Sequence, residues 1–207
     1  MTFKILAVAA TCCMSFATSS AAQDANTSFF ITSVNPGDGG NLGGLAGADA
    51  HCTSLAEAAG ITGKTWAAYL SSSAENARDR IGTGPWMNAN GVIVAESIDQ
   101  LHDASANNLT KEASISESGE IINGRGDAPN RHDILTGSTA DGMYVGPACE
   151  DWTSASSESS AMVGHHDRTG GGADPTSWGA AHPSRGCGLE NLQGTGGDGL
   201  FYCFAVK

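Results

Sequence analysis

The densest concentration of groups able to do chemistry is Val163-Gly164-His165-His166-Asp167-Arg168, followed by Ser177-Trp178-Gly179-Ala180-Ala181-His182-Pro183-Ser184-Arg185. Imidazole, carboxylate and indole on one loop are what a polar ligand pocket needs: a few oriented donors beside an apolar face. Trp178 is suited to stacking on a sugar ring or an aliphatic side chain, and Arg185 to gripping a carboxylate. His165, His166, Asp167, Trp178, His182 and Arg185 therefore form the candidate ligand-binding set. Two other readings compete with it. One is a structural loop whose His and Asp side chains bond the backbone where regular ladders are missing. The other is a metal site of His165, Asp167 and His182, with His132 as a further ligand. Zinc accepts such ligands, but no His-x-x-x-His or His-Glu-x-x-His helix fixes them here.

Catalysis has less to stand on. There is no Gly-x-Ser-x-Gly elbow, and no paired acids stand out. The expectation is a binding protein without catalytic residues, with a metal-dependent hydrolase on His165, Asp167 and His182 as the alternative and a structural envelope protein as the third. The glycine-rich loop 35–44 lacks both the dinucleotide fingerprint and the Walker pattern. Asp38 and Asn41 within it lack the twelve-residue calcium-loop pattern. No cofactor is assigned; calcium and zinc are the candidates, and neither has a specific motif. Arg125-Gly126-Asp127 is the integrin-recognition tripeptide, set in a polar stretch where exposure is expected; three given residues also recur often by chance.

The elements that must position these residues begin at the far end of the chain. Gly199 to Val206 is the most apolar run outside the leader, rich in aromatic and branched residues, and reads as a fully buried strand. A first strand is expected over 28–32. A helix is expected over 48–59, where Cys52, Leu55, Ala56 and Ala59 make one apolar stripe and Gly60 supplies the stop. A strand over 65–70, a short helix over 74–81 and a hairpin over 86–94 follow. Asn90-Gly91 suits the hairpin turn, because both positions of such a turn take positive φ. One or two helical turns are expected over 97–103, then an irregular segment over 104–131. Short strands are expected at 132–135 and 161–163, with loops over 153–160 and 165–185. Helices early and short strands late, without βαβ alternation, indicate an α+β domain with much loop.

A chain of 207 residues accommodates one domain of ordinary size. Residues 1–22 read as a signal peptide: Lys4 gives the positive start, Ile5 to Phe16 a short apolar core, and Ser20-Ala21-Ala22 a cleavage site. The apolar run is too short to span a bilayer, and Ala10-Thr11 makes a poor lipobox for lipid anchoring at Cys12. The expected domain is 23–207, secreted or held at the periplasmic or outer surface. Loss of Lys4 leaves nine basic against 22 acidic residues. A field of that sign repels phosphate backbones, which disfavours nucleic-acid partners.

Cys52, Cys149, Cys187 and Cys203 remain, an even number behind a secretory signal, which reads as two disulfides. Three pairings are possible. The helical stripe puts Cys52 on a buried face, where a bridge to the last strand is geometrically sensible.

Several fragments, in order, resemble the endostatin domain of collagens XV and XVIII, which has a C-type-lectin-like fold. They are Gly47-Ala48-Asp49-Ala50-His51-Cys52, Tyr69-Leu70-Ser71-Ser72, Asn76 to Arg80, Thr136-Gly137-Ser138 and Cys149-Glu150-Asp151-Trp152, with Cys187 and Cys203 in the places of that family's last two cysteines. The resemblance implies an endostatin-like single domain with nested bridges, Cys52–Cys203 outside and Cys149–Cys187 inside. It also brings in bacterial endostatin-like secreted proteins that act as adhesins, and hence a glycan or extracellular protein ligand. The chain departs from endostatin in having no histidine over 23–27 for its zinc and no arginine-rich heparin face. The sugar-binding signatures of calcium-dependent lectins are absent, so carbohydrate binding follows from fold analogy alone.

Overall fold

The computed structural model describes residues 25–206; the expected leader lies outside the described residues. In chain order the elements are β1 (Phe29–Ile31), α1 (Gly44–Ala58), β2 (Thr65–Ala68), α2 (Ala77–Arg80), β3 (Trp86–Met87), β4 (Ile93–Ala95), α3 (Ile98–His102), β5 (Asp133–Leu135), α4 (Ala148–Trp152), β6 (Met162–His165), β7 (His182–Pro183), α5 (Leu189–Gln193) and β8 (Gly197–Val206). The architecture is α+β, as expected.

β8 organises the six-stranded sheet. It pairs β5 in parallel over its first half, and β1 and β2 antiparallel over its second. β6 then joins β5, and β7 joins β6. Leu200, Tyr202 and Phe204 pack into one core, while Phe201, Cys203 and Ala205 pack into another. Successive strand residues face opposite sides, so a strand apolar at every position must be covered on both. α1 covers one face with Ala48, Cys52 and Ala56. The other face carries an aromatic cluster of Phe29, Tyr69, Trp86, Trp178, Tyr202 and Phe204.

The bridges are Cys52–Cys203 and Cys149–Cys187. The first ties α1 to β8. The second pins α4 beside the loop that follows β7, and Gly40 packs so closely on Cys149 that a Cβ there would meet its sulfur at 2.5 Å.

Several features depart from expectation: β7 (His182–Pro183) lies inside the expected loop 165–185, α5 falls where no helix is expected, and three others have a visible cause. α1 starts four residues early, because Gly43 (φ 76°) and Gly44 (φ 74°) supply a left-handed entry that L side chains resist. The hairpin turn has positive φ at Gly91 but not at Asn90. Asn88 instead accepts the N–H groups of Asn90 and Val92 on its side-chain oxygen, and the β3–β4 register shifts by a bulge. α4 is a single left-handed turn, with φ between 44° and 67° from Ala148 to Trp152. Five such non-glycine residues are costly. The inner bridge, the Trp152 indole N–H donating to the Ser71 carbonyl (2.8 Å), and Leu42 N–H donating to the Trp152 carbonyl (2.9 Å) hold them.

Candidate functional site

The register of three short strands assembles the site. Asp133 pairs directly with His165 across β5 and β6, and His182 on β7 pairs with Val163 of β6. Strand alternation puts Val163 and His165 on one face of β6, so Asp133, His165 and His182 meet at one end of the sheet. The backbones must approach closely here: a Cβ on Gly164 would sit 1.7 Å from the Trp178 carbonyl oxygen. His132, just before β5, completes the group.

Three imidazoles converge on one carboxylate oxygen. Asp133 Oδ1 lies 3.1 Å from His132 Nε2, 3.3 Å from His165 Nε2 and 3.6 Å from His182 Nε2. Asp133 is 2% exposed and His165 fully buried, whereas His182 stands half-buried at the mouth. Each ring has its other nitrogen beside an oxygen: His132 Nδ1 at 3.3 Å from Asp167 Oδ1, His165 Nδ1 at 2.9 Å from the Pro175 carbonyl, and His182 Nδ1 at 3.0 Å from the Pro183 carbonyl. A carbonyl only accepts, so Nδ1 of His165 and of His182 must carry the proton. In the neutral rings the Nε2 lone pairs then point at a carboxylate. Accordingly, both Asp133 oxygens and His165 Nε2 are buried without a hydrogen bond.

Burial pushes the Asp133 carboxyl up; only rings carrying a proton on the side facing it, His165 and His182 first, would pull it down to about 2. The carboxylate in turn raises His182 above its ordinary value. Asp167 is pushed up by burial, yet held well below the usual carboxylate range by His132 and by the backbone N–H groups of Arg125 and Thr169.

Above the cluster opens a cavity of about 490 Å³, walled by Arg125, His132, His165, His182 and Arg185. Both arginines are exposed.

The expected set is therefore divided. His165, His182 and Arg185 line the cavity, joined by His132. Asp167 stands behind His132, with its oxygens occupied. His166 is buried with Nε2 at 3.1 Å from the Asn123 carbonyl, outside the cavity, and burial lowers its pKa. Trp178 belongs to the aromatic core and donates its indole N–H to the Leu101 carbonyl at 3.1 Å. Asp133 and Arg125 lie outside the expected ligand-binding set, Arg125 entering the sequence reading only within the Arg125-Gly126-Asp127 tripeptide. The only sequence signal for Asp133 was its place beside His132 at the start of an expected strand. Of the Arg125-Gly126-Asp127 tripeptide, Asp127 is engaged by Lys111 Nζ at 2.5 Å and by the Gly124 N–H at 2.8 Å, while Arg125 turns to the cavity wall. In the glycine-rich loop, Asn41 donates to Asp38 at 3.2 Å.

No helix of the described residues is long and apolar enough to cross a membrane. No known family model matches the chain, and no curated protein matches it.

Proposed function

We propose that this is a secreted or cell-envelope binding protein that takes an anionic group into the cavity above the histidine cluster. The ligand class is a carboxylate-bearing glycan, or an acidic side chain of an extracellular protein. One observation carries the reading: Arg125 and Arg185 both stand on the cavity wall and make no ion pair among the described residues, in a chain of net charge −12. Every other arginine is paired with a carboxylate or bonded to protein oxygens. Two free guanidinium groups facing one cavity offer planar, forked donors to a carboxylate. The endostatin-like, C-type-lectin-like kinship belongs to the same proposal; the nested bridges and the α+β sheet closed by the last strand support it.

A glycan and matrix-protein array tests this. Acidic glycans should bind, and neutral analogues should bind at least tenfold more weakly. Arg125→Gln with Arg185→Gln should abolish the difference. Equal binding of acidic and neutral ligands, unchanged in that double variant, would overturn the reading. The second reading, a metal-dependent hydrolase, draws on the same histidines. Turnover of ester or peptide panels, lost in His182→Gln, would favour it over binding.

A further inference from the structure

We infer that His132, Asp133, His165 and His182 are the ligands of a divalent first-row transition metal of the zinc class, held at the floor of the cavity. The inference stands on protein atoms alone and does not depend on an anion binding above.

The first ground is the convergence. With metal–ligand bonds of about 2.0 Å, the edges of a tetrahedron are about 3.3 Å long. Ligand atoms of His132, Asp133 and His165 all lie within 4.8 Å of one another, with His132 and His165 Nε2 at 3.1 and 3.3 Å from Asp133 Oδ1 and His182 Nε2 at 3.6 Å from the same oxygen. A cation among the first three satisfies two lone pairs and a buried carboxylate at once, and His182 at the mouth is placed to complete the set as the fourth ligand. Protonating the rings instead leaves a worse arrangement. His132 and His165 stack with centroids 4.2 Å apart and planes at 16°, so two imidazolium charges would face each other in a buried site.

The second ground is the surrounding shell. Ligating histidines commonly donate their other N–H to a carboxylate or a backbone carbonyl, which fixes the tautomer and aims the lone pair. All three rings have that arrangement here: Asp167 behind His132, Pro175 behind His165 and Pro183 behind His182. Asp167 is thereby a positioning residue rather than a ligand.

The third ground is the packing of glycine against the rings. Gly170 (φ 129°), Gly172 (φ 111°) and Gly196 (φ 112°) all hold backbone conformations that L side chains rarely adopt. A Cβ on Gly170 would meet His132 and His165 carbons at 2.9 Å; on Gly172, His182 Cδ2 at 3.0 Å; on Gly196, His132 Cδ2 at 3.0 Å. Each imidazole edge is thus clamped by backbone, which locks the donor directions.

The ligand set chooses the metal. Calcium and magnesium require oxygen cages, and this site offers one carboxylate among three imidazoles. Imidazole suits zinc, copper, nickel and iron.

The test is titration of the EDTA-treated, dialysed secreted protein with Zn²⁺ by calorimetry, with Co²⁺ spectroscopy in parallel. One equivalent should bind, and Co²⁺ should give visible bands of a four- or five-coordinate nitrogen–oxygen site. His182→Gln, at the half-exposed mouth, should fold normally and weaken Zn²⁺ at least 100-fold. His51→Gln, whose ring bonds the Val34 carbonyl on the surface, should leave affinity unchanged. No Zn²⁺ uptake by the wild-type chain would overturn the assignment, as would uptake undiminished in His182→Gln and in Asp133→Asn. Loss of anion binding with zinc uptake intact would remove only the arginine-based ligand reading.

Discussion

At the scale of single residues, the site turns on a buried carboxylate that has neighbours but no protons to accept. Asp133 was legible in the sequence only as the start of a strand, because what makes it a site residue is its register opposite His165, set by pairing between segments thirty residues apart. His165 and His182 stood out through local composition. By composition Asp167 is the carboxylate of the cluster, but the turn after β6 sends it to the back of His132. By type Trp178 suits a stacking surface, yet an indole with one N–H is satisfied just as well by a backbone carbonyl in a core. The glycines are equally telling. Gly164→Ala should cost at least about 3 kcal/mol, since the Cβ would collide with backbone that cannot rotate away; a denaturant titration measures it.

A second residue-scale prediction concerns pH. His102 places Nδ1 2.8 Å from the Ile98 carbonyl and Nε2 2.7 Å from the Tyr69 hydroxyl. Nδ1 thus carries a proton, and the neutral ring accepts at Nε2 from the Tyr69 hydroxyl. Burial lowers its pKa from 6.5, and burial lowers His166 as well. At these two sites the unfolded chain therefore binds more protons as pH falls below about 6.5, and their contribution to stability is lost in that direction, against the opposite contribution of the raised His182. Melting at pH 7.5 and 5.5 should show the decline, and His102→Gln should lessen it. A decline of the same size in the variant would exclude His102 as a cause.

At the scale of elements, α1 and β8 were legible because their patterns are local: an apolar stripe and an unbroken apolar run. α4, α5 and β7 were not. β7 is two residues held by β6, and α4 has a handedness that no side-chain periodicity announces. Besides its apolar face and the Cys52–Cys203 bridge, α1 is joined to β2 and α2 by Asp49. Its carboxylate accepts two bonds of 2.7 Å from Arg80 and one of 2.8 Å from the Ala68 N–H, and the Arg80 side chain is only 6% exposed. Asp49→Ala leaves that guanidinium buried with only Glu75 beside it, and should cost about 3 kcal/mol. Removing the inner bridge by Cys149→Ala with Cys187→Ala should cost up to about 4 kcal/mol by releasing a 38-residue loop. It should also release the left-handed turn, seen as faster amide exchange at Trp152.

At the scale of the whole molecule, the six-stranded sheet divides two cores, and in an acidic chain two arginines without an ion pair among the described residues face the same cavity. Composition made the charge legible; it could not reveal that these two cations, sixty residues apart in sequence, share a wall. A metal held at the floor of that cavity also braces β5, β6 and β7, which no disulfide ties together. Binding to the folded chain alone stabilises it by about 2.7 kcal/mol at a free concentration of 100 Kd. For a domain of this size the melting temperature should rise by about 5–10 °C on adding Zn²⁺ after chelation. His182→Gln should show a much smaller rise at the same zinc concentration.

The most direct measurement is anomalous scattering from a crystal of the zinc-treated protein, recorded on both sides of the zinc absorption edge. The account predicts one strong peak within bonding distance of Nε2 of His132, His165 and His182 and of Asp133 Oδ1. A map with no peak there, and with Asp133 hydrogen-bonded to protonated imidazoles, would contradict it.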